Sequence, residues 1–289
     1  PGTTWGKNFA QGQYRAGYAT KTDGTLWAWG DNNQGALAQS GNFAPNAKIS
    51  SPVQIPGTSW DHSNWGKLTA RQMGGGAIRT DGTLWVWGYN NNMCLGNNLP
   101  DNNHRSSPIQ LPGTDWKMVT SFTYNMAAVK TNGTMWAWGK NTEGQLGHNN
   151  RTQASSPIQI PGTTWSQSMF GNGFQAAVRS DGTLWTWGKN DKGQLGQNNA
   201  IKYSSPVQVP GTTWSIVKCA GSAVAAKKTD NTLWVWGPNW DGQLGQNQAA
   251  SVAYGFSSPV QVPGIWDDLD QHNFMIGGST IKAIGAKLV

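Results

Sequence analysis

One stretch recurs five times along this chain and constrains what the rest can fold into. Its clearest copy is Thr183-Leu184-Trp185-Thr186-Trp187-Gly188-Lys189-Asn190-Asp191-Lys192-Gly193-Gln194-Leu195-Gly196, and the others begin at Thr25, Thr83, Thr134 and Thr232. A second marker, Pro-Gly-(Thr)-x-Trp, ends at Trp5, Trp60, Trp116, Trp165, Trp214 and Trp266, with spacings of 55, 56, 49, 49 and 52 residues. Self-similarity at a period of roughly 20–50 residues is the mark of solenoids and propellers. Each unit is long enough for four strands.

The unit that starts at Trp165 shows the pattern. Residues 166–173 form a Gly-interrupted first segment, and residues 174–179 a second strand of small residues. Asp181-Gly182 then reads as a two-residue type I′ hairpin turn, which needs positive φ at both central positions. The turn recurs as Asp23-Gly24, Asp81-Gly82 and Asn132-Gly133, and becomes Asp230-Asn231 in the fifth unit, where Asn tolerates positive φ. The third strand is expected over 183–187, a Gly/Asn loop over 188–196, a polar insert over 197–203 and a fourth strand over 206–209. Proline opens each fourth strand (Pro52, Pro108, Pro157, Pro206, Pro259), which predicts an edge strand.

In the third strand the two Trp lie two residues apart and share one face, with Leu184 and Thr186 on the other. Large side chains on one face and medium ones opposite suit sheets buried between neighbours. Composition agrees. Glu occurs once, at Glu143, while Gly (38) and Trp (18) abound, so helix formers are scarce. The predicted fold is all-β: one domain over residues 1–289, a closed β-propeller of four-stranded blades. Six repeats are visible, so six blades are expected. The sixth is degenerate: Thr280-Ile281-Lys282-Ala283-Ile284-Gly285 replaces both Trp, and residues 286–289 are assigned to its fourth strand. Closure removes the exposed edges that an open array would have to cap.

The net charge is +7, yet only 12% of residues are charged, which argues against a nucleic-acid stripe. No apolar run approaches the ~18 residues of a membrane span. Cys94 and Cys219 occupy different repeat positions, so no disulfide is expected. The chain begins at Pro1, which reads as a processed chain or a piece of a longer one.

The pattern Leu-Trp-x-Trp-Gly-x-Asn-x-x-Gly-Gln-Leu-Gly followed by Ser-Pro-Val-Gln, at 184–196 and 205–208 and again from Met135 to Gly147, resembles the repeat of the regulator of chromosome condensation family. The resemblance covers nearly the whole chain. It implies a propeller, usually of seven blades, which makes seven the runner-up count. Functions it implies include nucleotide exchange on a small nuclear GTPase with chromatin docking, UV-B sensing in plants, and inhibition of secreted β-lactamases. The family's Ala-x-Gly-x-x-His core has no His here in residues 10–14, 70–74, 121–125 or 220–224, and the photoreceptor's Gly-Trp-Arg-His-Thr cluster is absent. The Ser-Ser-Pro-Val-Gln-Ile-Pro-Gly-Thr-x-Trp wording also resembles repeats of large bacterial and phage surface proteins.

Several residue groups are candidates for function. The Trp pairs (Trp27/Trp29, Trp85/Trp87, Trp136/Trp138, Trp185/Trp187, Trp234/Trp236) can offer platforms for sugars or bases, but five copies fit packing between blades better. Asn32, Asn90, Asn141, Asn190 and Asn239 fit turn closure better than a cation site, which wants carboxylates. Lys21, Arg79, Lys130, Arg179 and Lys228 stand two residues before the hairpin turn. They form a candidate basic ring for an acidic partner, against the blander reading that their stems cover apolar surface.

The inserts at 39–49, 97–105, 148–154, 197–203 and 246–256 differ between units, and variable loops on a rigid scaffold usually carry binding. Phe43, His104, Arg105, Arg151, Tyr203, Tyr254 and Phe256 are the candidate contacts there. Asp267, Asp268 and Asp270 cluster without catalytic spacing, and His62, His104, His148 and His272 show no metal-ligand spacing. The expected function is non-enzymatic binding or adhesion, extracellular or on a virion surface, toward a protein or cell-surface glycan and without a cofactor. The alternative is a soluble regulator that docks an enzyme or small GTPase on one propeller face.

Overall fold

A computed structural model describes residues 4–11, 16–40, 48–246, 255–267, 269, 274–277 and 280–283. Five four-stranded antiparallel sheets and one two-stranded pair appear among them, each in sequential strand order. The first sheet has strands β1 (Trp5–Gln11), β2 (Ala16–Lys21), β3 (Leu26–Asp31) and β4 (Lys48–Ile55). The second has β5 (Leu68–Arg71), β6 (Gly74–Ile78), β7 (Leu84–Gly88) and β8 (Arg105–Gln110). The third has β9 (Trp116–Phe122), β10 (Asn125–Lys130), β11 (Met135–Gly139) and β12 (Ala154–Gln159). The fourth has β13 (Trp165–Phe170), β14 (Phe174–Arg179), β15 (Leu184–Gly188) and β16 (Tyr203–Gln208). The fifth has β17 (Trp214–Ala220), β18 (Ala223–Lys228), β19 (Leu233–Gly237) and β20 (Phe256–Val262). The last repeat supplies β21 (Phe274–Gly277) and β22 (Thr280–Ala283). Residues 286–289 lie outside the described residues.

The chain divides into two compact units, Pro1–Lys140 with Gln153–Gln159, and Asn141–Thr152 with Ile160–Val289. The first holds three sheets and the second holds two sheets and the terminal pair.

The second strand of the reference repeat runs over the expected residues, and the fourth is an edge strand in every four-stranded sheet. Three local expectations are corrected. First, the fourth strand begins three residues before its proline in four of the five sheets, at Arg105, Ala154, Tyr203 and Phe256. The ladder between β15 and β16 skips from Thr186↔Val207 to Gly188↔Tyr203. Pro206 therefore sits in an irregular stretch where its missing N–H costs no ladder bond.

Second, the hairpin turn is not type I′. The Gly182 amide donates to the Arg179 carbonyl (3.0 Å) and the Arg179 amide to the Thr183 carbonyl (2.9 Å), so three residues form the loop. Gly182 has φ +78 and Asp181 is not at positive φ. This is a type I turn closed by a left-handed Gly, a common three-residue hairpin. Asn231 takes the same place with φ +66. Third, the first strand is continuous apart from a register shift between Trp165 and Gln167. In the second repeat it is interrupted. Trp60 makes an isolated bridge to Arg79, and β5 starts only at Leu68. That insertion accounts for the longer spacing after Trp60.

The core of each unit lies between neighbouring sheets. The second Trp of the third strand donates its indole N–H to the loop of the preceding repeat: Trp87 to the Ala36 carbonyl (3.0 Å), Trp138 to Cys94 (3.2 Å), Trp187 to Gln145 (3.0 Å) and Trp236 to Gln194 (3.0 Å). All four are fully buried. A large apolar ring and its one polar atom are thus satisfied together. Hairpin turns tie repeats as well. The Trp60, Trp116, Trp214 and Trp266 amides donate to the carbonyls of Gly24, Gly82, Gly182 and Asn231 in the preceding repeat.

Candidate functional site

Each basic residue that precedes a hairpin turn lies against two indoles. One belongs to the marker Trp that opens the repeat, the other to the first Trp of the third strand. Arg179 lies 4.3 Å from the ring centroids of both Trp165 and Trp185. Arg79 lies 4.7 Å from Trp60 and 4.2 Å from Trp85, and Lys228 lies 4.8 Å from Trp214 and 4.6 Å from Trp234. Lys21 lies 5.2 Å from Trp5 and 4.0 Å from Trp27, and Lys130 lies 4.8 Å from Trp116 and 5.3 Å from Trp136. A cation over an indole face contributes about 0.5–1 kcal/mol when exposed. The candidate basic ring is therefore a set of cation–indole cages. Their stems cover apolar surface, and their charged ends are held by Trp.

The turn beside each cage is closed by a carboxylate. Asp181 accepts from the Thr183 amide (2.9 Å) and hydroxyl (2.6 Å), and that hydroxyl accepts from the Trp185 indole N–H (2.9 Å). The relay recurs at Asp23, Asp81 and Asp230, and Asn132 makes the same two bonds in the third repeat. The Thr hydroxyl first, and the Thr amide next, hold the carboxyls of Asp23, Asp81, Asp181 and Asp230 below the usual carboxylate range. Because their pKa is depressed by folding, their stabilisation is complete above the unfolded-state value near ~3.9 and is lost as pH falls through the folded-state value. Changing all four to Asn should flatten the acid limb of a thermal-denaturation pH profile below about pH 4. An unchanged acid limb would show that these turns do not contribute to it.

The five loop asparagines close turns, as expected. Each buried side chain accepts from the amide of the Leu five residues on, as Asn190 does from Leu195 (2.9 Å) and Asn90 from Leu95 (2.9 Å). Asn190 also donates to the carbonyls of Asn199 (3.0 Å) and Ile201 (2.9 Å), which fixes the shape of its insert. Inserts then reach the next repeat. The amides of Asn98, Asn149 and Asn198 donate to Ser155, Ser204 and Ser257, each at 2.7 Å.

The candidate contact residues separate on this frame. Tyr203 and Phe256 begin edge strands and are half-buried against the core of the second unit. The Tyr203 hydroxyl accepts from Asn199 (3.2 Å). Arg105 begins β8 and reaches the His104 carbonyl (3.4 Å). His104 stacks on Tyr89 at 4.7 Å, and its Nδ1 accepts from the Asn90 amide (3.1 Å). Burial first, then the nearby Arg71 charge, push its imidazole below the ordinary histidine range. Arg151 alone of these five is exposed. Phe43 and Tyr254 lie outside the described residues.

Both cysteines are free. Asp267 accepts from the Asn231 side chain, while Asp268, Asp270 and His272 lie outside the described residues. Among the described residues no three His, Cys, Asp or Glu side chains group as a metal site, and no helix is long and apolar enough to cross a membrane.

Three features escaped the sequence reading. Arg71 is 1% exposed and donates to the Cys94 sulfur (2.8 Å) and the Trp87 carbonyl (3.0 Å). Ile201 and Trp240 are large apolar residues at 59% and 48% exposure on loops of the second unit. In the third sheet, Trp116, Trp136, Lys130 and the Pro112-Gly113 turn line an open recess of about 290 Å³. The nearest sequence signal for it was Asp115, which replaces the Thr or Ser of the other Pro-Gly-Thr-x-Trp markers.

Four antiparallel strands in sequence order, closed by a Trp tie to the preceding repeat, define a repeat protein of β-propeller blades. The repeat model of the regulator of chromosome condensation (RCC1) family matches residues 81–123, 132–178 and 181–226. The E3 ubiquitin-protein ligase HERC2 of Homo sapiens and that of Mus musculus are each 28% identical over 128 residues, which is 43% of this chain and 2% of the ligase. The fold resembles Prp20p from Saccharomyces cerevisiae, with TM-score 0.73 and 18% identity over 89% of this chain and 65% of that one. It also resembles human WBSCR16, with TM-score 0.72 and 20% identity over 86% of this chain and 65% of that one. The chain thus spans just under two thirds of these structures and a small fraction of the ligases.

Proposed function

We propose that this chain is a non-enzymatic binding module, a closed six-bladed ring displayed on a bacterial or virion surface, and that its inserts contact a protein or glycan partner. One observation carries the reading. The recurring side chains are consumed in internal ties, whereas large apolar groups on the loops, Ile201 and Trp240, are exposed. The Asn190 bond to the Ile201 carbonyl holds that insert in place, so the side chain is presented on a fixed backbone. Exposed aromatic and aliphatic groups on rigid loops are the usual anchors of interfaces.

Ile201→Ser with Trp240→Ser should lower binding of the full chain to bacterial cells at least tenfold while leaving its thermal midpoint in place. Unchanged binding would remove the Ile201 insert and the Trp240 loop from the contact. The second reading, a regulator that docks one protein, draws on one structural relative solved twice, Prp20p, which is yeast RCC1. Prp20p was described with its binding to Gsp1p and histones, and yeast RCC1 was crystallised bound to Kap60. Recovery of one soluble protein at fixed stoichiometry, with no binding to cells, would favour that reading.

A further inference from the structure

The third sheet departs from its siblings at one place. In the second and fourth sheets an Arg closes over the Pro-Gly turn, so tightly that a Cβ on Gly57 or Gly162 would meet the Arg79 or Arg179 guanidinium. In the third and fifth sheets the cation is a Lys, whose Nζ would lie 3.4 Å from such a Cβ on Gly113 and 3.6 Å from one on Gly211, and among the described residues only the third sheet adds a carboxylate beside it. Asp115 pairs with Lys130 at 2.9 Å. The ammonium stands 5.3 Å from the Trp136 ring, against 4.0, 4.2, 4.3 and 4.6 Å for the matching pairs in the first, second, fourth and fifth sheets. The Asp115 carboxylate holds the cation farther from that indole, beside the recess of about 290 Å³ that Lys130, Trp116 and Trp136 line.

The chemistry of this recess is specific. Trp116 is 3% exposed and forms the wall behind Lys130, while Trp136 is half-buried and offers part of its ring. Both indole N–H groups are engaged inside the protein, Trp116 with the Pro112 carbonyl (3.2 Å) and Trp136 with the Thr134 hydroxyl (3.1 Å). The rings therefore present faces and C–H edges rather than donors. Ser156 and Pro157 complete the rim. Lys130 lines the recess, and the Asp115 carboxylate paired with it adjoins that edge, so a donor and an acceptor stand side by side with no net charge. A charged ligand would have to break that pair to bind. A neutral ligand with an apolar ring face and adjacent hydroxyls can keep it, with one hydroxyl donating to Asp115, the next accepting from Lys130, and its C–H face on Trp136.

We propose that the recess binds a single neutral pyranose ring. Its volume of about 290 Å³ falls just below the ~300–1,000 Å³ of small-molecule sites, which suits one ring and a dissociation constant on the order of 1 mM. The inference does not rest on the loop-docking reading above, because the recess lies in the third sheet and shares no residue with Ile201 or Trp240.

The test uses the full chain with ¹⁵N-labelled Trp, the Trp136 indole resonance being assigned by its loss in Trp136→Phe. Neutral methyl glycosides of glucose, galactose, mannose and N-acetylglucosamine are titrated, with glucuronic acid, glucosamine and a proline-rich peptide as comparators. At least one neutral glycoside should shift the Trp136 signal saturably in the millimolar range. Lys130→Arg, which should fill the recess as Arg79 and Arg179 fill theirs, should weaken that binding tenfold or more. So should Asp115→Thr, which frees the cation to return to Trp136. Both substitutions install residues that sibling repeats carry, and unchanged shifts of the other indoles would confirm that the fold is kept. Saturation by no neutral glycoside, saturation only by a charged sugar or the peptide, or undiminished binding by Lys130→Arg would each overturn the proposal.

Discussion

Replacing Trp187 with Ala is expected to destabilise the protein by roughly 3–5 kcal/mol, the range for truncating a buried large aromatic. The ring is fully buried and stacks edge-on against Trp165 at 5.9 Å. Its N–H satisfies the Gln145 carbonyl in the preceding repeat. Truncation opens a cavity and orphans a buried acceptor at once. Its neighbour Trp185 gives the internal control. It is half-buried, its N–H is engaged locally by Thr183, and it carries a cation–indole contact. Trp185→Ala is expected to cost on the order of 1–2 kcal/mol. Denaturant melts of the two variants, with hydrogen exchange to locate the opened sheet, test the ranking. Equal losses would mean that the two indoles do not divide the work as their burial suggests.

Gly88→Ala is expected to be nearly as damaging although it adds one methyl group. Gly88 has φ +92, and a Cβ there would run into the Met73 carbonyl oxygen and lie 2.6 Å from the Gly74 Cα, both rigid backbone. The left-handed conformation alone costs a non-Gly residue roughly 1–3 kcal/mol, and the overlap with backbone adds to that. Gly30, Gly139, Gly188 and Gly237 hold the same place with φ between +100 and +104. Gly221→Ala is the control. It too has positive φ, +54, but its added Cβ meets nothing within 4 Å. A thermal midpoint for Gly88→Ala equal to that of Gly221→Ala would remove the steric part of this account.

Much of the blade was legible because its signals are local. The Asp-Gly turns, the alternation in Leu-Trp-x-Trp and the edge prolines each report on residues within a few positions of one another. The cages were not legible, because Trp165, Arg179 and Trp185 belong to three different strands and meet only when the sheet forms. Periodicity showed that each position recurs but not that the three touch, so a basic ring and stems that merely cover apolar surface both stayed open. The inserts misled for a related reason. Tyr203, Phe256 and Arg105 follow polar, variable residues and read as loop, yet they begin strands because a bulge lets the ladder resume ahead of the proline. Arg71 was hidden by its short strand, Leu-Thr-Ala-Arg, where nothing in the sequence marks the guanidinium as buried.

The indole ties point one way along the chain: the donor is always in the later repeat and the acceptor in the earlier one. The two ends of a partly assembled array are therefore unequal. Removing a following repeat leaves a loop carbonyl that water can satisfy. Removing a preceding one bares the large apolar face of an indole to solvent, a loss that water bonded to its N–H does not offset. An array built in the order of synthesis always extends from the tolerant end, and each new repeat arrives carrying the donor that clasps it to the last.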